Sequence, residues 1–287
     1  STGSHRPCIP GYASSLLHKS ATTYDAGLSV ERGGFRAGVD YWRYDFSGAI
    51  ESEPVSGIVS ALFGASGRAN CDDPAYAGLR ARFLFSGGVC SSANVQRLTT
   101  YAFNSADVST SGVDLSASYD FAAGAAEMQA GINASYTIEY EVDAVVVEGI
   151  AVQPAFDAAG KLNFQTTAYP LPQIKGAAWL QGALGRHLLR AQVNHVGSYT
   201  DQRGAEVFGR NPTTLAGAVV GTGKRIGAFT TLDLAWTWQL AEGTGLSLTV
   251  FNAFDQDPPF ARLEQNFDPF TASPLGRTVR VGVSQSF

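Results

Sequence analysis

The stretch Glu127-Met128-Gln129-Ala130-Gly131-Ile132-Asn133-Ala134-Ser135-Tyr136-Thr137-Ile138-Glu139-Tyr140-Glu141 decides the fold. Met128, Ala130, Ile132, Ala134, Tyr136, Ile138 and Tyr140 share one parity. Glu127, Gln129, Gly131, Asn133, Ser135, Thr137 and Glu139 share the other. A helix would mix these sets, whereas a strand puts each on its own face. Just upstream, Val113, Leu115, Ala117, Tyr119 and Phe121 oppose Asp114, Ser116, Ser118 and Asp120 in the same way.

Seven more segments alternate similarly: 24–32, 35–46, 174–184, 188–199, 231–240, 246–254 and 278–287, making nine strands. Composition agrees. Of 287 residues, 32 are glycine, one is methionine and only 16% are charged, which disfavours a helical bundle. A net charge of −5 gives no electrostatic reason to expect a nucleic-acid partner. No run of about 18 apolar residues supplies a membrane helix, but alternation is the signature of a membrane strand. The first residues, Ser1 to Pro7, lack the charged and apolar regions of a signal peptide, so the chain is expected to be a mature product or fragment.

One sheet of a soluble sandwich also alternates, but its strands average about 5–6 residues. These are long enough to cross a bilayer at a tilt. The connections also alternate. Gly33-Gly34, 122–125, Gly185-Arg186 and 241–243 are tight turns; 47–97, 142–170, 201–227 and 255–277 are long loops. Short turns at one end and long loops at the other describe an outer-membrane barrel. Tyr24, Phe35, Tyr41, Tyr119, Phe121, Tyr136, Tyr140 and Tyr199 fall near strand ends on the apolar parity, as girdle aromatics do. The polar parity carries Asp25, Glu31, Arg36, Asp40, Asp114, Asp120, Glu127, Glu139, Lys175, Arg190, Asp233 and Arg280. A dry core would tolerate so many charges badly, whereas a wet lumen hydrates them. The fold class is therefore all-β, an antiparallel transmembrane β-barrel. Nine antiparallel strands cannot close on themselves, and an open edge in lipid leaves backbone groups unpaired. The chain is expected to be the C-terminal part of a larger barrel.

Specific motifs point the same way. Val250-Phe251-Asn252-Ala253-Phe254-Asp255 with Pro258-Pro259 resembles the Asn-Leu-Phe-Asp…Pro-Pro signature of TonB-dependent outer-membrane receptors. Asp268-Pro269-Phe270-Thr271-Ala272-Ser273-Pro274-Leu275-Gly276-Arg277, followed by a strand ending in Phe287, resembles that family's last loop and strand. Thr23-Tyr24-Asp25-Ala26-Gly27-Leu28 and Ser111-Gly112-Val113-Asp114-Leu115 are similar to two of its recurrent strand motifs. The resemblance spans about residues 20–287.

A full member has about 22 strands around an N-terminal plug. The resemblance thus implies the last nine strands of such a barrel, with residues 1–20 an extracellular loop segment and 21–287 the barrel part. It implies a location in the bacterial outer membrane and uptake of a scarce nutrient with energy coupled from the inner membrane. Ferric siderophores are the leading cargo; cobalamin, carbohydrates and peptides are alternatives. The implied partners are the N-terminal remainder of the receptor (plug and earlier strands), TonB through that remainder, the outer-membrane assembly machinery, lipid and lipopolysaccharide, and the small nutrient ligand. Phe287 would be the assembly signal. Tyr101, Phe156, Phe164, Tyr169, Phe208, Phe260 and Phe267 are candidate ligand-contacting loop aromatics. Cys71 and Cys90 are the candidate disulfide in the oxidising space outside the cell; pairing of Cys8 with either stays open. A passive porin-like channel and a soluble β-sandwich binding module are the alternative readings.

Enzymatic motifs are missing from the sequence. His5, His18, His187 and His195 show no zinc-ligand spacing. Gly217 to Lys224 is superficially like a phosphate loop, but Arg225 stands where Ser or Thr is required. Asp72-Asp73 and Asp255-Gln256-Asp257 read as solvated loop carboxylates rather than calcium ligands. No catalytic residue, cofactor site or metal site is expected.

Overall fold

Gly33 and Gly34 adopt φ of 58° and 82°, the pair of left-handed residues that a tight hairpin turn needs to match strand twist. They join β1 (Ser20–Arg32) to β2 (Phe35–Ser47). In the computed structural model, which describes residues 16–164, 166, 168–203 and 224–285, the pattern repeats along the chain. β3 (Val108–Ala123) turns into β4 (Ala126–Val142), β5 (Ile174–Leu184) into β6 (His187–Val196), and β7 (Phe229–Ala241) into β8 (Thr244–Phe251); β9 (Thr278–Gln285) comes last. The nine lie side by side in chain order, and a two-residue strand, Phe156–Asp157, pairs off this path with β4. Within the sheet β1 and β9 each have a single neighbour, so the sheet does not close. All nine expected strands form. β8 stops at Phe251, short of the expected 254, because Asn252 takes φ 50° and turns its N–H onto Asp233 at 2.8 Å.

Two compact units share the chain. The larger comprises 24–43, 110–140 and 158–287. Its register carries the alternation across strands, since directly paired residues share a face. Trp179 pairs with Gly131 on one side and Gln192 on the other, and Gln192 pairs with Asp233. This face is a polar ladder: Arg190 donates to Gln181 and Gln192, Gln192 to Asn194 and Asn194 to Asp233. On the opposite face Leu180, Leu189, Val193, Leu234, Val281 and Val283 are all exposed. At the tight-turn end of that apolar face His187, Trp236 and Trp238 stack at 5.5–6.1 Å, and the Trp236 indole donates to His187 Nδ1. Tyr24, Phe35, Tyr41, Tyr119 and Tyr136 are exposed as girdle residues should be. Tyr199, grouped with them from sequence, is instead buried.

The smaller unit (16–23, 44–109 and 141–157 among described residues) corrects the reading of 47–97 as plain loop. It contains α1 (Val55–Phe63), α2 (Ala77–Ala81) and three short two-stranded ladders. Ile58, Leu62 and Phe63 line one side of α1 and pack with Leu79, Phe83, Val145, Val147 and Val152. Cys71 and Cys90 are disulfide-bonded, with Cα atoms 5.7 Å apart. Arg82 ties the unit together: its guanidinium reaches Glu53 and Glu148, both at 2.6 Å, and lies over the Tyr101 ring. Cys8, Phe208, Phe287 and residues 217–223 lie outside the described residues.

Candidate functional site

In the larger unit, two long connections fold back beside one another at the end opposite the tight turns. The first follows β4. Gly160 N–H donates to Leu171 O and Leu171 N–H to Lys161 O, which pinches the segment into a closed loop. Asn163, at φ 54°, fills its neck. The Asn163 Nδ2 lies 2.9 Å from Ala158 O, 3.1 Å from Lys161 O and 2.8 Å from Tyr169 O. One buried amide thereby places Phe164 and Tyr169 around a common rim.

The second connection follows β8. Asn252 brackets its start through Gln256, donating to that residue's carbonyl and accepting its N–H. Farther on, Asp268 is buried. Its carboxylate accepts from the Phe270 N–H at 3.0 Å, Thr271 Oγ1 at 3.0 Å and the Tyr199 hydroxyl at 2.5 Å. Burial, and then the Asp268 carboxylate, push the Tyr199 phenol well above its ordinary range. A second buried cluster joins residue 262 to the segment after β6. Asp201 accepts from Arg262 Nε at 2.9 Å and from Arg203 Nε and Nη2 at 2.9 and 2.8 Å. The two arginines also donate to each other's carbonyls. Burial works to raise the Asp201 carboxyl, but hydrogen bonds from Arg203 and Arg262 outweigh it and hold the group below its usual range.

Between the two connections lies a cleft of about 560 Å³. Phe164, Tyr169, Phe267 and Phe270 supply its rings; Asn163, Thr166, Gln265, Glu264 and Asp268 supply its polar atoms. Such a cleft, mostly apolar with a few placed polar groups, is suited to hold a small molecule. Among the described residues no cluster of His, Cys, Asp or Glu is arranged for a metal ion.

Of the candidate aromatics, Phe164, Tyr169 and Phe267 meet in this cleft. Phe260, on the second connection, does not line it. Tyr101 and Phe156 belong to the smaller unit, where Tyr101 lies beneath Arg82 and Phe156 pairs with Val142. Phe270 lines the cleft and was missed, although it stands inside the Asp268–Arg277 motif quoted above. Its place beside Pro269 in that motif was the available signal.

A family model described as TonB dependent receptor-like, beta-barrel matches residues 19–253. Solved structures similar to this chain include the ferric enterobactin receptor PfeA of Pseudomonas aeruginosa (16% identity, TM-score 0.55, covering 94% of this chain and 31% of that one). The FrpB iron transporter of Neisseria meningitidis is similar at 14% identity and TM-score 0.53, covering 96% and 32%. The outer-membrane transporter YddB of Escherichia coli gives 10% identity and TM-score 0.58, covering 96% and 34%. No curated protein matches by sequence. The chain spans about a third of the length of the structures it matches.

Proposed function

Because this chain belongs to the TonB-dependent receptor β-barrel family, we propose that the receptor containing it imports a scarce nutrient, most specifically a ferric siderophore, with energy relayed by TonB. The family is one of outer-membrane transporters of Gram-negative bacteria, not enzymes. The observation that carries the reading is the four-ringed cleft built where the long connections cluster, the end that faces outward in barrels of this class. Structural likeness to receptors and transporters of iron adds support. The plug and earlier strands would complete the barrel, lipid and lipopolysaccharide would cover its apolar face, and the outer-membrane assembly machinery would insert it.

The test is uptake of radioactive iron by cells expressing the full-length receptor in a background lacking other iron receptors. Accumulation from ferric chelates should require the receptor and collapse when TonB or the proton gradient is removed. Accumulation that survives loss of both would identify a passive channel. A protein released from cells and monodisperse without detergent would overturn the membrane reading.

A further inference from the structure

The last row of the apolar face before the tight turns crosses from β5 to β9 through Leu184, His187, Trp238, Leu246 and Val283. Its middle is an ordered platform. His187 stacks on Trp238 at 5.5 Å and on Trp236 at 5.9 Å, with interplanar angles of 23° and 13°. The Trp236 indole N–H donates to His187 Nδ1 at 3.2 Å. An accepting Nδ1 leaves the ring proton on Nε2, where no described residue accepts it. A fixed cation stands beside the platform. Arg186, in the β5–β6 turn, is exposed. The Gln239 N–H donates to its carbonyl at 2.9 Å, and Arg186 Nη1 donates to Leu240 O at 3.1 Å. These two bonds hold the guanidinium at the end of β7, next to the stacked rings. Among the described residues no carboxylate pairs with it, Glu242 on the next turn included.

From this juxtaposition we propose that Arg186 and the His187, Trp236 and Trp238 stack form a headgroup site for an anionic glycerophospholipid of the inner leaflet. Tight turns face the periplasm in barrels of this class, which puts these residues at that leaflet's headgroup level. The rings alone anchor at that level; the cation adds a choice between headgroups. The guanidinium and His187 Nε2 donate to the phosphodiester oxygens. An unpaired cation favours a lipid with net negative charge over one whose phosphate carries its own ammonium. Leu184 and Val283, 51% and 74% exposed at the two ends of the row, offer apolar surface to the acyl chains. This inference rests on the membrane reading above and names one lipid class for it.

The experiment folds the purified full-length receptor into vesicles of equal parts phosphatidylglycerol and phosphatidylethanolamine. The receptor is then extracted in mild detergent, and retained lipids are counted by native mass spectrometry. Phosphatidylglycerol should be retained with about fivefold preference, the effect of one cation near the surface. Arg186→Gln should bring the ratio close to one, whereas Arg186→Lys should keep most of it. His187→Phe, which keeps a ring in the stack but removes the Nε2 donor, should lower the preference about twofold. Arg225→Gln, the same loss of charge on an exposed residue at the opposite end, should leave it unchanged. Heat-modifiable migration on gels verifies that each variant is folded. Equal retention of the two lipids, or a preference that survives Arg186→Gln, overturns the inference. So does an equal loss in Arg225→Gln, because net charge would then be the cause. A receptor that inserts but shows no preference leaves the membrane reading standing. One that never inserts and stays monodisperse without detergent takes both down.

Discussion

Asp201 is closed to solvent and carries two arginines, Arg203 and Arg262, from segments about sixty positions apart. Its carboxyl is depressed in the folded protein, so its contribution is complete above the unfolded value, near about 3.9, and is lost as pH falls through the lower folded value. Tyr199 runs the other way: its raised phenol contributes fully below about 10 and loses that contribution as pH rises toward the folded value. Amide exchange in 197–203 and 252–277, corrected for intrinsic rate, should show flat protection between about pH 5 and 9, with falls on either side. Asp201→Asn should abolish the acid limb and lower protection at neutral pH by about 3–5 kcal/mol, because two cations remain in a buried site. Tyr199→Phe should abolish only the alkaline limb. None of this was legible in the sequence. Asp201, Asn163 and Asp268 look like ordinary loop residues until partners distant in the chain, such as Tyr199 for Asp268, are brought to them.

The strands, by contrast, were legible to within about five residues at their ends, since a period of two is a local property and survives without tertiary context. What stayed hidden was packing between elements. Gly131 lies opposite Trp179 across the β4–β5 ladder, and the indole lies over the space where a Cβ would project. Trp42 covers Gly112 in the same manner. Gly131→Val should therefore displace the indole and cost about 1–3 kcal/mol, read as a lower urea midpoint of the detergent-solubilised receptor. Adding Trp179→Ala should recover most of that loss, whereas Trp179→Ala alone should not mimic it. Unchanged midpoints in Gly131→Val would show that the indole does not hold this position. The α1 helix was missed for a different reason. Ile58, Val59, Leu62 and Phe63 carry a helical spacing, but nine residues inside a segment bounded by strands read as loop, and the core they enter is assembled partly from 145–152.

At the scale of the molecule the decisive feature is a sheet with one dry and one wet face. The paired register makes the assignment strand by strand: Val281 lies opposite Leu248, both on the apolar face, while Ser247 lies opposite Gly282 on the polar one. Val281 is 67% exposed in mid-strand and flanked on its face by Val279 and Val283. In water such a row would be a severe liability; in a bilayer it is solvated by acyl chains. Paired arginine substitutions separate the two environments. Val281→Arg should destabilise the receptor folded in lipid vesicles by about 2–4 kcal/mol, as a charge near the bilayer midplane does. Ser247→Arg, a larger change of side chain on the neighbouring strand, should cost under about 1 kcal/mol because its guanidinium enters a hydrated interior. Reversible unfolding in denaturant, followed by intrinsic fluorescence, gives both values. Equal costs at the two positions would mean that both faces meet the same solvent, and the barrel assignment of the strands would fail. An inverted order would put the lumen on the valine side, against the register of every ladder from β5 to β9.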